Sequence, residues 1–363
     1  MSADLTAAMA RRIVVHAQGF ENDDQAPQDV LAKLGLLQLD PLARVEKAHR
    51  LSVLARSRGH LPEDVDNGLW TQPAAVAFET YTHAACLIPV EAWPLFRLKR
   101  VAAAKREDTP EALFMEQVLT LVADSPTGLT LRQIEGSSPP TSGWNWSPHK
   151  RAAEHLVWRG DLAVTERRLG RRVFNLPSRT IPAAHLNLKL DREEILAGFA
   201  RRAVESLGIV TPTDLATHYH VRIEDAQTGL ALSGHERLTV EGWQEPAWLS
   251  ADSLNLQEST APQTRLLGPF DNLIRDRNRL RRIFGFDYIF EAYKPASKRQ
   301  YGHYVLALLD NDELVGRVDA RKDKGTLIFD GTYPESRIPL VKFESALQTA
   351  GEHLATQLSV TWN

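Results

Sequence analysis

The stretch SPHKRAAEHLVWRGDLAVTERRLGRRVFNL, residues 147–176, decides the fold. Its first part, SPHKRAAEHLVWRGDLAV, reads as a helix that leads straight into a strand. Its second part, TERRLGRRVFNL, reads as two strand arms around a basic, glycine-containing turn. Upstream, TPEALFMEQVLTLVADSPTG opens with Thr109 and Pro110, a cap followed by a first-turn proline, and predicts a helix. LTLRQIEG predicts a short second helix, and SSPPTSGWNWS a loop. Helix, helix, helix, strand, basic wing, strand is the order of a winged helix. Lys150 and Arg151 stand near the start of the third helix, and Arg167, Arg168, Arg171 and Arg172 stand on the wing. Both are places where such folds touch DNA.

Working outward, LDREEILAGFARRAVESLGIVTPTDLATHYH repeats the opening of such a unit, with a capping-box pattern at TPTD. ERLTVEGWQEPAWLS supplies two short strands. Towards the N-terminus, residues 4–17 and 27–34 have helical spacing, LLQLD is extended, and ARVEKAHRLSVLARSRG is helical up to Gly59. Further helices are expected over PAAVAFETYTH and around EAWPLFRLKRVAAAKRE. From about residue 262, apolar and polar residues alternate between turn signals such as DND and DGT. This predicts a small antiparallel β-barrel packed or capped by a last helix. The fold class is α+β, with three tandem winged-helix units over 1–108, 109–185 and 186–260 and a barrel with a C-terminal helix over 261–363.

Composition sets limits on function. The chain has 363 residues, 43% hydrophobic and 25% charged, as in ordinary soluble globular proteins. No apolar run approaches the roughly 18 residues needed to span a bilayer. The N-terminus reads as an amphipathic helix, not a signal peptide. The single cysteine, Cys86, excludes an intrachain disulfide and a Cys-based zinc site, and reads as a buried structural thiol in a reducing cytoplasm. His218 and His220 are spaced i, i+2 and read as core or surface histidines, not metal ligands. Net charge is −3, so total charge does not mark a nucleic-acid binder. Local charge does: residues 149–172 hold seven Lys or Arg against three Asp or Glu, and residues 271–304 hold eight against four.

The chemistry-bearing candidate is LLQLDPLARVEKAH, residues 36–49. Successive side chains of a strand point to opposite faces, so Gln38 and Asp40 share one face and Leu37 and Leu39 the other. Pro41 pushes Asp40 towards extended backbone. Alternatively, Asp40 caps the helix after Pro41. An amide and a carboxylate on one face are able to hold a water molecule and to stabilise a cation.

Five segments resemble the AlkZ/YcaQ-like winged-helix DNA glycosylases. They are LGLLQLDPLARVEKAHRL (34–51), YTHAACLIPVEAW (81–93), WNWSPHKRAAEHLVWRGDLAVTERR (144–168), LLGPFDNLIRDRNRLRRIFGFDYIFEAY (266–293) and PASKRQYGHYVLALL (295–309). The resemblance implies a C-shaped molecule around a basic channel. It implies a monofunctional glycosylase, without metal or other cofactor, that excises N7-alkylated guanine and unhooks interstrand crosslinks. The family signature is Gln, an apolar residue, then Gln or Asp. Here it stands as Gln38-Leu39-Asp40, the Asp form of the YcaQ-like branch. Arg50 and Arg275 depart from residues common in relatives, a second histidine and a tryptophan.

The resemblance makes Gln38 and Asp40 the catalytic pair. Gln38 positions water, and Asp40 stabilises an oxocarbenium-like sugar or acts as general base. His49 is either a core histidine or an active-site or DNA contact. Asp271 is either a turn-former or a group beside the pair. Arg277 and Arg299 are phosphate-contact candidates, and Tyr301 a barrel residue or a stacking group. The expected partner is double-stranded DNA with alkylated or crosslinked guanine, bound by a monomer with no membrane association, in the cytoplasm at the nucleoid. The competing reading is a non-catalytic winged-helix DNA-binding or regulatory protein.

Overall fold

The computed structural model describes residues 4–21, 24–136, 146–255 and 264–362. One element order occurs three times: helix, strand, helix, helix, strand, strand. In the first unit these are Pro27–Leu34, Leu37–Gln38, Ala48–Leu54, Pro62–Trp70, Ala77–Tyr81 and Ala85–Pro89. In the second they are Ala112–Asp124, Leu129–Thr130, Leu131–Glu135, Pro148–Arg159, Ala163–Arg168 and Arg171–Asn175. In the third they are Arg192–Leu207, Ile209–Val210, Pro212–Tyr219, Ile223–Leu232, Glu236–Leu238 and Ala247–Leu249. Each unit closes with a three-stranded sheet whose last strand lies between the other two.

Local chemistry explains the boundaries. Ser147 caps Pro148–Arg159 through its hydroxyl, and Gly160 ends it in the left-handed region at φ 81°. Leu169 and Gly170, both at positive φ, turn the chain between the two wing strands. Thr211 and Asp214 form the capping box expected from TPTD. The helix expected to be capped at Thr109 starts instead at Ala112, after Glu111. Of the expected loop SSPPTSGWNWS, residues 137–145 lie outside the described residues.

Two expectations for the first unit are corrected. PAAVAFETYTH is not a helix: Ala77–Tyr81 is a strand paired antiparallel with Ala85–Pro89. Phe78 points into the core, edge-on to Trp93 at 5.0 Å and Phe96 at 5.5 Å between ring centroids, and this burial overrides the helix propensity of the alanines. The helix expected over ARVEKAHRLSVLARSRG is confined to Ala48–Leu54. Residues 41–47 are irregular because other groups claim their backbone. Asp40 Oδ1 accepts from the Leu42 N–H at 2.9 Å, and the Arg44 carbonyl accepts from the Lys322 N–H at 2.9 Å.

The C-terminal region holds a curled five-stranded sheet: Thr264–Leu267, Val305–Asp310, Glu313–Asp323, Thr326–Pro334 and Thr361–Trp362, in that order. It is a curled half-barrel where a small antiparallel barrel was expected, with Thr361–Trp362 pairing parallel to Thr326–Pro334, and helix Leu340–Gln357 buries Phe343, Ala350 and Leu354 against it. Alternate residues of its second strand serve two cores. Leu306 and Leu308 pack with Leu37, Val45 and the last helix. Val305, Ala307 and Leu309 pack with helices Ala7–Ala17 and Arg277–Phe284. The sheet therefore holds the strand that carries Gln38 from behind.

Candidate active site

Leu37 is buried in the same core and Leu39 packs partly against it, Leu39 also bordering a cleft beside Asp40. Strand Leu37–Gln38 pairs with Ala85–Pro89, Leu37 opposite Leu87 and Gln38 opposite Cys86, and the Leu39 N–H continues the ladder to the Ala85 carbonyl at 2.8 Å. Cys86 is fully buried, burial pushes its thiol pKa up, and Thr82 Oγ1 lies 3.3 Å from its Sγ.

Asp40 is half-buried. Burial raises its pKa, opposed by the Leu42 N–H, and among the described residues no cation pairs with it. It borders a cleft of about 370 Å3 together with Lys47, His49, Glu79, Tyr81, Arg167 and Arg172. Gln38 does not line this cleft. Its Oε1 accepts from His83 Nε2 at 2.9 Å.

His49 is buried, and its Nε2 donates to Asp66 Oδ1 at 2.9 Å. Its ring stands edge-on to Trp70 at 5.1 Å, and its Nδ1 is buried with no partner among the described residues. Burial lowers the His49 pKa, outweighing Asp66. Arg50, one of the two departures, holds Asp66 with both ends of its guanidinium, at 2.9 and 2.7 Å. Burial favours the neutral Asp66, but the hydrogen bonds from His49 and Arg50 outweigh it and hold that carboxyl well below the usual range.

The wing divides into clamped and free cations. Glu79, buried in strand Ala77–Tyr81, takes Arg167 at 2.6 and 2.9 Å and Arg172 at 3.1 Å. Arg172 also binds Glu154, and Arg167 lies over Trp70 at 4.9 Å. Arg168 pairs with Glu166 at 2.7 Å. Arg171 and Arg151 are exposed, with no side-chain partner among the described residues. Lys150 sits over the Trp146 ring at 4.4 Å.

The remaining candidates are spread apart. Asp271 Oδ1 accepts from the Leu273 N–H at 3.0 Å, so the turn role holds. Its carboxylate also pairs with the fully buried Arg56 at 2.6 and 2.9 Å, and it does not bond to Gln38 or Asp40. Arg277 is half-buried over Tyr288 and donates to the carbonyls of Ile274 and Pro269. Arg299 donates to the Lys294 carbonyl. Tyr301, in the segment before strand Val305–Asp310, packs edge-on to Tyr333 under Arg317 of the sheet.

Sequence reasoning missed the groups behind Gln38. His83 sits in the turn after Ala77–Tyr81. Arg275 Nη1 lies 3.2 Å from both of its ring nitrogens, and Arg275 Nη2 lies 2.6 Å from Nδ1 of the buried His218. Burial, then Arg275, pull the His83 pKa down to about 3. Asn272 donates to the carbonyls of Leu34 and Leu36, both at 3.0 Å, on the approach to the motif. Only Arg275 carried a signal in the sequence, as a departure from relatives; Glu79, His83 and Asn272 carried none beyond lying in the quoted segments.

The model of the "DNA glycosylase AlkZ-like" family matches residues 31–356. In structure the chain is similar to the Streptomyces sahachiroi DNA glycosylase AlkZ, with a TM-score of 0.67 at 16% sequence identity over 100% of both chains. No helix among the described residues is long and apolar enough to cross a membrane. A family match that runs from before Gln38 and Asp40 through the wing and into the last helix leads to one conclusion: the chain belongs to the AlkZ-like DNA glycosylase family and is a DNA glycosylase.

Proposed function

We propose that the chain hydrolyses the N-glycosidic bond of N7-alkylated guanine in double-stranded DNA and unhooks interstrand crosslinks made at that position, with Gln38 and Asp40 as the catalytic pair. The observation that carries this reading is Asp40: a half-buried carboxylate with no counter-charge among the described residues, beside a cleft rimmed by arginines. Such a group is destabilised until a cation arrives. The oxocarbenium-like sugar formed as C1′–N9 breaks is that cation. The N9 electron pair leaves with the alkylated base, which is already positive and needs no acid. Water forms the new C1′–O bond and gives its proton to Asp40 or to solvent. Gln38 holds the water.

In this reading the three repeated units are winged helices, and Lys150, Arg151, Arg168, Arg171 and Arg299 supply phosphate contacts to a monomer. A crosslinked base remains tied to the opposite strand and cannot swing into a closed pocket. A site at a surface cleft suits that substrate.

The test uses duplex DNA carrying a single N7-methylguanine. After incubation, alkali converts abasic sites to strand breaks. Breaks at the lesion are expected, and their absence at every enzyme excess would overturn the reading. A second duplex with an N7–N7 crosslink is expected to yield separated strands under denaturing conditions; failure there alone removes unhooking and leaves excision.

A further inference from the structure

Gln38 is an amide in a place where its two ends do opposite things. The oxygen accepts hydrogen bonds and the nitrogen donates them. Which end meets the substrate decides whether Gln38 offers an acceptor or a donor. The side chain could turn over at little cost if nothing held it. His83, Arg275 and His218 hold it.

The proton positions follow from what each group is able to do. Gln38 Oε1 only accepts, so His83 bears its proton on Nε2, 2.9 Å away. A neutral ring has one such proton, so His83 Nδ1 accepts. Thr82 Oγ1, 3.0 Å from Nδ1, is able to donate to it, while Arg275 Nη1 lies 3.2 Å from both ring nitrogens and selects neither. A guanidinium only donates, so a ring nitrogen bonded to it alone must accept. The same logic makes His218 Nδ1 an acceptor from Arg275 Nη2 at 2.6 Å. Among the described residues Arg275 forms no carboxylate pair; its side-chain partners there are the two imidazoles and Asn272 Oδ1 at 3.3 Å. A second proton on either ring would meet this cation directly. Burial and Arg275 together keep both rings neutral. The Gln38 nitrogen has no protein partner among the described residues, and it is not among the atoms sealed from solvent.

We propose that His83, its Nε2 proton directed at the amide oxygen and its Nδ1 beside Thr82, is a positioning residue for Gln38: it occupies the amide oxygen and leaves the N–H pair as the end that meets the reacting water. The network runs from the third unit (His218) through the loop before Arg277–Phe284 to the hairpin turn of the first, so it is assembled only in the folded chain. This inference rests on the catalytic role given to Gln38 above. It also gives that role a direction: Gln38 donates to the water oxygen, and Asp40 accepts the water's proton.

The experiment is a double-mutant cycle on excision of N7-methylguanine under single-turnover conditions, with DNA affinity measured separately. His83→Leu is expected to lower the chemical rate about 10- to 100-fold, as for other groups that orient a catalytic side chain, with DNA affinity unchanged. His83→Gln, whose amide N–H pair is able to reach Oε1, is expected to restore most of the loss. In a Gln38→Ala background His83→Leu is expected to cost nothing further. The same fold-loss in both backgrounds would overturn the proposal, as would a loss confined to DNA affinity. If His83→Leu does not fold, nitrogen-15 NMR of the wild-type imidazoles decides. The ring signals that vanish in His83→Gln are expected to show a neutral ring protonated on Nε2; a proton on Nδ1 would overturn the proposal. A wild-type protein that makes no alkali-labile breaks overturns the catalytic reading itself. An active wild type with additive losses removes only the role of His83.

Discussion

An aspartate that is half-buried and lacks a cation folds at a cost when it is ionised, and Asp40 is in that position. Its pKa in the folded protein is raised, so the associated stability is present below the unfolded value and is lost as pH rises through the folded one. At neutral pH, Asp40→Asn is therefore expected to raise Tm slightly, since Asn keeps an oxygen for the Leu42 N–H. The same change is expected to lower the excision rate by on the order of 10²- to 10³-fold while leaving DNA affinity intact. Calorimetry and single-turnover assays on one preparation check both halves; a fall in Tm or an unchanged rate would contradict them. The rate profile of the wild type is expected to fall on its acid side at a pH above the ordinary aspartate value, and Asp40→Asn should flatten that limb.

At the scale of the element, the wing hairpin separates cations that hold the protein together from cations free to meet phosphate. Arg171→Ala and Arg151→Ala are each expected to weaken DNA binding and to reduce the slope of log K against log salt by about 1. Arg172→Ala is expected instead to destabilise the fold by about 1–3 kcal/mol, because Glu79 and Glu154 are both buried and lose a partner. Salt titrations and urea midpoints distinguish the two classes. The wing strands, the helix before them and the extended backbone at Leu37–Gln38 were legible because their signals are local: period, caps and a Leu-Gly turn. Strand Ala77–Tyr81 was not, because alanines favour a helix until Phe78 meets Trp93 and Phe96, which only the fold brings together. The same reason hid the clamp on the wing, since Glu79 and Arg167 are 88 residues apart. It also hid the support of Gln38, with His83 45 residues away and Arg275 a further 192 from His83.

At the scale of the molecule, buried ion pairs tie the units to one another. Arg56 is fully buried, with Asp271 as its carboxylate partner, and Asp271→Ala leaves that cation unpaired. A loss of about 3–5 kcal/mol is expected, read as a lower urea midpoint, with a smaller loss of rate per folded molecule than Asp40→Asn. Asp214 is buried between Arg279 and Arg282, at 2.6 Å from each. Burial opposes its charge, yet the two arginines outweigh that and depress its pKa. Its stabilising contribution is thus present above the ordinary aspartate value and is lost as pH falls through the depressed one. Asp214→Asn is expected to lower stability at neutral pH and to make the acid limb of the stability curve shallower. An unchanged acid limb would show that other carboxylates govern acid unfolding.

The cross-strand neighbour of Gln38 has a practical consequence. Cys86 is the one thiol in the chain, it is sealed, and its pKa is raised, so a disulfide reagent reaches it only when the strand pair parts. The labelling rate of that single sulfur is accordingly a clock for the opening of the strands that present the catalytic pair. Slower labelling in the presence of lesion-bearing DNA would time how long the enzyme stays shut around its target, without any probe having to be engineered in.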